Sequence, residues 1–230
     1  MTESSTLPSW AAAREARAEL GHETRKQLIE AAALVFAQRG YARTTVADIT
    51  QAANVSRPAF YLYFASKDEV FAEVVAQVRN AFIGVHEIPG VDESDPVALG
   101  RSASAAVLAA YARYHELLTV IQHQAIADPE IARLWAEIEQ RPIRRVARYI
   151  KRLRAQGQAH PAASADVVAE AIMGIFARFG RLAPADPHGF AELVEQLNSI
   201  YLRLLGVDSE CVTSARVEPF HSRDQHRSSR

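Results

Sequence analysis

A single cysteine among 230 residues, Cys211, excludes an internal disulfide, and without a second thiol beside it neither a zinc site nor a dithiol redox motif can be assembled. No apolar run reaches the roughly eighteen residues that a membrane-spanning helix needs. The N-terminal stretch MTESSTLPSWAAAREARAELGHE brings in acids early and holds no continuous apolar segment, so no secretory signal is read there and a cytoplasmic location away from membranes is expected. A glycine-rich phosphate loop, a G-x-S-x-G elbow and an H-E-x-x-H pair are all missing. The expectation is a chain that is not an enzyme and uses no cofactor. An excess of either charge is missing too: 26 Lys and Arg meet 27 Asp and Glu, for a net charge of −1. That balance argues against a surface coated throughout for nucleic acid.

What is present is helical periodicity and one local basic surplus. Residues 49% hydrophobic and 23% charged make an ordinary globular balance. Between Gly21 and Lys67, six Lys and Arg stand against three Asp and Glu, leaving +3 in a short block while the rest of the chain is net acidic. From Thr24, TRKQLIEAAALVFAQRG places Leu28, Ala32, Val35 and Phe36 on one face and stops at Gly40, a left-handed position. Thr45 followed by Asp48 reads as a helix cap with an acid in the first turn, and the short helix it opens ends at Asn54, which tolerates positive φ. Pro58 fits the first position of a third helix, with Arg57 or Ser56 as its cap. Ser66 with Glu69 then forms a capping box ahead of Val70, Phe71, Val74, Val75, Val78 and Phe82, the apolar stripe of a fourth helix.

The run AFYLYF, Ala59–Phe64, has no two-residue period in polarity, and a strand opening with proline would be confined to a sheet edge, so it is read as helix. On that helix Phe60 and Phe64 are i,i+4 partners that can pack inward, whereas Arg57, Pro58, Tyr61 and Leu62 point elsewhere. Three helices within some forty residues, a tight turn between the second and third, and a basic surplus are the outline of a helix-turn-helix DNA reader. The stretch TTVADITQAANVSRPAFYLYFASKDEVFAEV resembles the N-terminal signature of the TetR family of one-component transcriptional regulators. By that resemblance Arg57, Pro58, Leu62 and Tyr63 would face the major groove, Tyr61 and Lys67 would grip phosphates, and Thr44 and Thr45 would bring the second helix to the DNA backbone. Asn54 stands where the family mostly has glycine; asparagine is the next best residue for that conformation.

The remaining two thirds reads as all helix, broken near HEIPGVDESDP, ADPE, GQAHPAAS and GRLAPADPHG, with Asp128-Pro129 and Asp186-Pro187 as cap-then-proline helix starts. His115 and His123 lack a carboxylate at matching spacing and are read as satisfied or solvent-facing, so no metal site is expected. Val168, Ile172, Ile175 and Phe179 on one segment, and Leu193, Leu197, Ile200 and Leu204 on the next, could be buried within one chain; the resemblance implies instead that such a pair meets its twin in a homodimer. Phe82, Tyr111, Tyr114, Leu118, Gln122, Trp135, Ile138, Met173 and Phe176 combine apolar and aromatic side chains with a few polar groups and are the expected lining for a small lipophilic effector. QRPIRRVARYIKRLRAQG carries Arg141, Arg144, Arg145, Arg148, Lys151, Arg152 and Arg154 with no acid; it reads as a solvated basic face or as a capture site for an anionic effector such as a coenzyme A thioester.

The whole is expected to be all-α. An extension spans 1–21, a helix-turn-helix DNA-binding domain 22–68, a larger helical effector-binding and dimerisation domain 69–206, and an unstructured tail 207–230. The function expected is that of a repressor released from a palindromic operator in double-stranded DNA by its effector. The rival is a helical interaction module or enzyme that keeps the fold without binding DNA.

Overall fold

The computed structural model of the protein describes residues 9–85 and 95–207. The described residues form eight helices and no strand: α1 Ser9–Arg39, α2 Val46–Ala52, α3 Arg57–Phe60, α4 Lys67–Gly84, α5 Pro96–Ala125, α6 Pro129–Ala155, α7 Ala165–Gly180 and α8 Pro187–Leu205. The tail expected to be unstructured, and Cys211 within it, lie outside the described residues apart from Val207.

Local chemistry sets most of the helix ends. The side chain of Thr45 accepts from the backbone N–H of Asp48, whose carboxylate accepts in return from the Thr45 N–H at 2.9 Å, a complete capping box that opens α2. Asp95, Asp128 and Asp186 each cap a helix whose first residue is proline, where the missing N–H costs nothing. Ser66 caps α4, but Glu69 reaches back to the N–H of Ala65 rather than to that of Ser66, so the reciprocal half of the expected box is displaced by one residue. Asn54 takes φ 51° and Gly40 φ 73°, the two left-handed positions that end α2 and α1. The first helix begins at Ser9 rather than at Thr24, because the alanine-, glutamate- and arginine-rich segment before Thr24 is good helix-forming sequence and continues without a break.

Two buried clusters organise the chain. The first joins Leu28, Ala32 and Phe36 of α1, Ile49 of α2, Phe60 and Phe64, and the apolar stripe of α4; it then continues into Leu117, Leu118 and Ile121 of α5 and Ile131, Leu134 and Ile138 of α6. Phe71 meets Phe36 edge to face with centroids 5.0 Å apart, and Tyr41 closes over both rings. The second cluster is built from Val107 and Leu108 of α5, the C-terminal half of α6, α7 and α8. Ion pairs brace the first cluster from outside: Arg25 to Glu73 at 2.6 Å, Arg39 to Asp48 at 2.6 Å, and Arg79 of α4 to Glu137 of α6.

The α5–α7 crossing depends on the absence of a side chain. A Cβ at Gly180 would lie 2.3 Å from the Tyr111 Cβ and 3.0 Å from its carbonyl carbon, and backbone cannot yield as a flexible side chain would. Gly180→Ala is therefore expected to cost ~1–3 kcal/mol, the range for overpacking a tight contact. Urea denaturation of the variant measures it; unchanged stability would mean that the two helices do not approach so closely.

Candidate nucleic-acid interface

Residues 45–66 form a compact reading unit. Ser56 caps α3 by accepting from the Ala59 N–H, which decides between the two cap residues the sequence leaves open. Although α3 itself is only Arg57–Phe60, the Phe64 N–H donates to the Phe60 carbonyl at 3.0 Å, so both phenylalanines fall on the same side of the unit. Their rings sit 5.6 Å apart and both are buried. Four residues so short a helix could not hold in water by propensity, so packing of Phe60 and Phe64 is what fixes its shape.

The opposite side of the unit is open. Leu62 is 81% exposed and Tyr61 48%, and Arg57, Pro58 and Thr45 are exposed beside them. The Arg57 guanidinium lies 6.0 Å from the centre of the Tyr61 ring, an attraction that orders both side chains on the surface. Five of the eight residues expected at DNA, Thr45, Arg57, Pro58, Tyr61 and Leu62, are thus exposed to solvent.

The other three are placed differently. Thr44 is 1% exposed and its hydroxyl donates to the Gly40 carbonyl at 2.8 Å, so the side chain closes the α1–α2 turn and cannot reach a DNA backbone. Tyr63 is half-buried against the first cluster, and its hydroxyl points at α1 near Gly21. The Lys67 ammonium donates to the carbonyls of Tyr41 and Thr44, both at 3.0 Å, and stands 4.2 Å from the centre of the Tyr41 ring. It pins the start of α4 to the end of α1 and leaves only its third N–H for anything outside. Arg25 and Arg39 are likewise engaged with Glu73 and Asp48, so much of the +3 surplus braces the unit internally. The Asp48 carboxyl is held below the usual carboxylate range, chiefly by its hydrogen bonds to Thr45 and secondarily by Arg39. A lowered carboxyl stabilises the fold above its ordinary titration range and loses that contribution as pH falls, so the capping box weakens only in acid.

A second feature lies in the body. Tyr111, Leu118, Gln122, Trp135 and Ile138, all expected as effector-lining residues, surround a cavity of about 210 Å³ between α5, α6 and the end of α7. Phe82 is fully buried one layer behind it, its ring edge-to-face with that of Tyr111 at 4.9 Å. Tyr114 packs beside Phe82, and Met173 and Phe176 belong to the second cluster, so these four build core rather than cavity wall. The wall also holds His115, Glu139 and Arg181, which sequence reading passes over. Burial of the Glu139 carboxyl and the nearby Glu170 raise its pKa, against an opposing hydrogen bond from Trp135. Burial and the charge of Glu139 push the Tyr111 hydroxyl up to about 12, so it stays a neutral donor at physiological pH. None of the basic residues from Arg141 to Arg154 lines this cavity; all seven are exposed, and Lys151 pairs with Asp166 at 3.0 Å. Among the described residues no group of His, Cys, Asp and Glu could hold a metal, and no helix is long and apolar enough to cross a membrane.

Comparison with known proteins agrees with this geometry. Residues 28–74, the span from mid-α1 into α4, match the bacterial regulatory proteins of the tetR family. Over 60 residues the chain is 46% identical to YdgC, an uncharacterized HTH-type transcriptional regulator of Bacillus subtilis, covering 26% of this chain and 31% of that one. Over 84 residues it is 40% identical to the HTH-type transcriptional regulator TtgR of Pseudomonas putida, covering 34% and 38%. The chain thus spans about half or less of the length of the curated relatives it matches, and the likeness lies in sequence of the reading unit and its surroundings. The fold extends further: the ketosteroid transcriptional regulator KstR2 of Mycobacterium tuberculosis superposes with a TM-score of 0.65 at 22% identity, over 80% of this chain and 95% of that one. Residues 28–74 thus carry the helix-turn-helix sequence of the tetR family, set in an all-helical chain whose fold is similar to that of a solved transcriptional regulator.

Proposed function

We propose that this protein is a cytoplasmic, homodimeric repressor that binds a palindromic operator in double-stranded DNA and leaves it when a small effector enters the cavity between α5, α6 and α7. The observation that carries the reading is the two-sidedness of the 57–64 segment: Phe60 and Phe64 are buried while Leu62 and Tyr61 are exposed beside Arg57. A large exposed apolar side chain near a guanidinium that is steadied by the Tyr61 ring suits a DNA groove, where the leucine would meet thymine methyls and the arginine a guanine edge.

Two identical heads read a palindrome when they sit about one helical turn of DNA, ~34 Å, or a small multiple apart. Val167 on α7 and Ile200 on α8, 59% and 40% exposed, with Leu182 in the turn just past α7 at 55%, form an outward apolar stripe that supports pairing with a second copy. Val168, Ile172 and Leu197, expected in that interface, are instead buried within the chain. The contact of Tyr111 with Phe82 supplies a route from the cavity to α4, and through α4 to the head. An effector must bind the DNA-incompetent spacing better by ~3 kcal/mol to weaken operator binding ~150-fold. The cavity is below the ~300 Å³ floor of sites for drug-sized ligands, and the basic stripe stands apart from it. Both facts favour a compact effector over a coenzyme A thioester.

Fluorescence anisotropy with duplexes selected from genomic fragments tests the head. Arg57→Ala is expected to relax preference at one base pair per half-site and to cost ~1–3 kcal/mol. Tyr61→Phe should weaken all duplexes alike by ~1 kcal/mol, since a phosphate contact positions without specifying. If Tyr61→Phe changed base preference, or Arg57→Ala left both affinity and preference intact, the assignment of this face to DNA would fail.

A further inference from the structure

The cavity that the effector reading uses carries two charges left without ion-pair partners among the described residues. Glu139 enters its wall from α6 and Arg181 from the end of α7. Among the described residues no ion pair joins Glu139 to Arg181, and both stand exposed at the cavity wall, where partial burial and the nearby Glu170 raise the Glu139 carboxyl against a hydrogen bond from Trp135. The close packing of Gly180 on Tyr111 holds the end of α7, and with it Arg181, at this position. The same cavity is lined by the rings of Tyr111 and Trp135 and the side chains of Leu118 and Ile138.

Each part of that wall selects a chemistry. A guanidinium recognises a carboxylate through two parallel N–H donors. A partly desolvated carboxylate, which can only accept, asks for a hydroxyl or amino donor. Flat aromatic walls favour a ring. A ligand carrying only positive charge would face Arg181, and one carrying only negative charge would face Glu139, so the site discriminates against both. We infer that the effector is a small aromatic acid with a hydroxyl or amino group remote from its carboxylate, the carboxylate held by Arg181 and the donor by Glu139. This inference rests on the effector reading above and adds the ligand class to it.

Isothermal titration calorimetry of the full chain tests it with three probes: 4-hydroxyphenylacetate, its methyl ester and 4-methoxyphenylacetate. The parent acid is expected to bind with a Kd of ~1 mM or tighter. Each methylated form should bind ~10-fold or more weakly, the loss of one charge-assisted hydrogen bond. Arg181→Met should close the gap between acid and ester while leaving that between phenol and ether; Glu139→Met should do the reverse. No binding of the acid, or equal binding of all three probes, would overturn the ligand class. A fill-in variant separates that failure from failure of the site itself. Ala177→Phe, or Gln122→Trp should the first not fold, blocks the cavity; equal probe affinities lost on blocking strike only the class. A compound that releases DNA equally well from wild type and the blocked variant would strike the effector reading.

Discussion

On the proposed operator-binding function, Phe60→Ala is expected to abolish specific DNA binding while leaving most of the helical signal in place. Phe60 is fully buried and touches Tyr61 edge to face at 5.4 Å and Phe64 at 5.6 Å, so its ring is the base on which the outward face is mounted. Truncating a buried phenylalanine costs ~3–5 kcal/mol, and a four-residue helix has no propensity to replace it. The loss falls on the local opening of residues 45–66, while α5–α8 retain the second cluster intact. Hydrogen exchange should show α2 and α3 unprotected, far-UV circular dichroism should fall little, and anisotropy should detect no specific complex. Phe60→Leu, closer to volume-conserving, should keep binding at a cost below ~1.5 kcal/mol. Operator affinity within about threefold of wild type in Phe60→Ala would show that the buried side of the segment does not position its exposed side.

Charging the outward stripe of α7 and α8 should break the proposed pairing. Val167→Glu combined with Ile200→Glu places two carboxylates per chain in a surface that faces its own copy, so four like charges would be desolvated together. Neither side chain is buried within the chain, and the monomer itself should fold normally. With one head instead of two, the advantage of the second binding event disappears, and operator affinity should fall ~10²–10⁴-fold. Sedimentation analysis reads the mass and anisotropy reads the affinity. A double variant that remains dimeric, or a monomer that binds the full operator as tightly as wild type, would remove the stripe from the mechanism.

Most helix boundaries were legible because they are decided within a few residues, whereas the start of α1 was not, since the segment before Thr24 holds no cap or break to mark it. Thr45 with Asp48, Asn54, Asp128-Pro129 and Asp186-Pro187 act through their own hydrogen bonds and backbone angles, and each stands where its local chemistry requires. The inward and outward sides of 57–64 were legible for the same reason, since an i,i+4 pair of phenylalanines settles the register. The cavity was legible only in part. Phe82, Tyr114, Met173 and Phe176 have the side chains of a binding site and those of a core alike, and only the meeting of α4, α5 and α7 decides between them. Glu139 and Arg181 carry no local mark, because both remain exposed charges and only the approach of the end of α7 to α5 and α6 brings them to one cavity. Lys67 shows the same limit: its carbonyl partners lie 26 and 23 residues away.

The first buried cluster does not stop where the reading head ends. It passes through α4 into Leu117, Leu118 and Ile121 of α5 and Ile131, Leu134 and Ile138 of α6, so the seam between clusters runs across the middle of two long helices, beside the cavity, rather than along the chain at the head's last residue. For module exchange between relatives this matters. A chimaera joined just after Lys67 would set a foreign α4 stripe against Phe36 and Phe60. One joined after Gly84 would keep the head and α4 together but present Val74, Val78 and Phe82 to unfamiliar α5 and α6. Grafts that also carry the matching halves of α5 and α6 would keep the packing beneath the head, so that its exposed residues can be exchanged without disturbing the buried ones that support them.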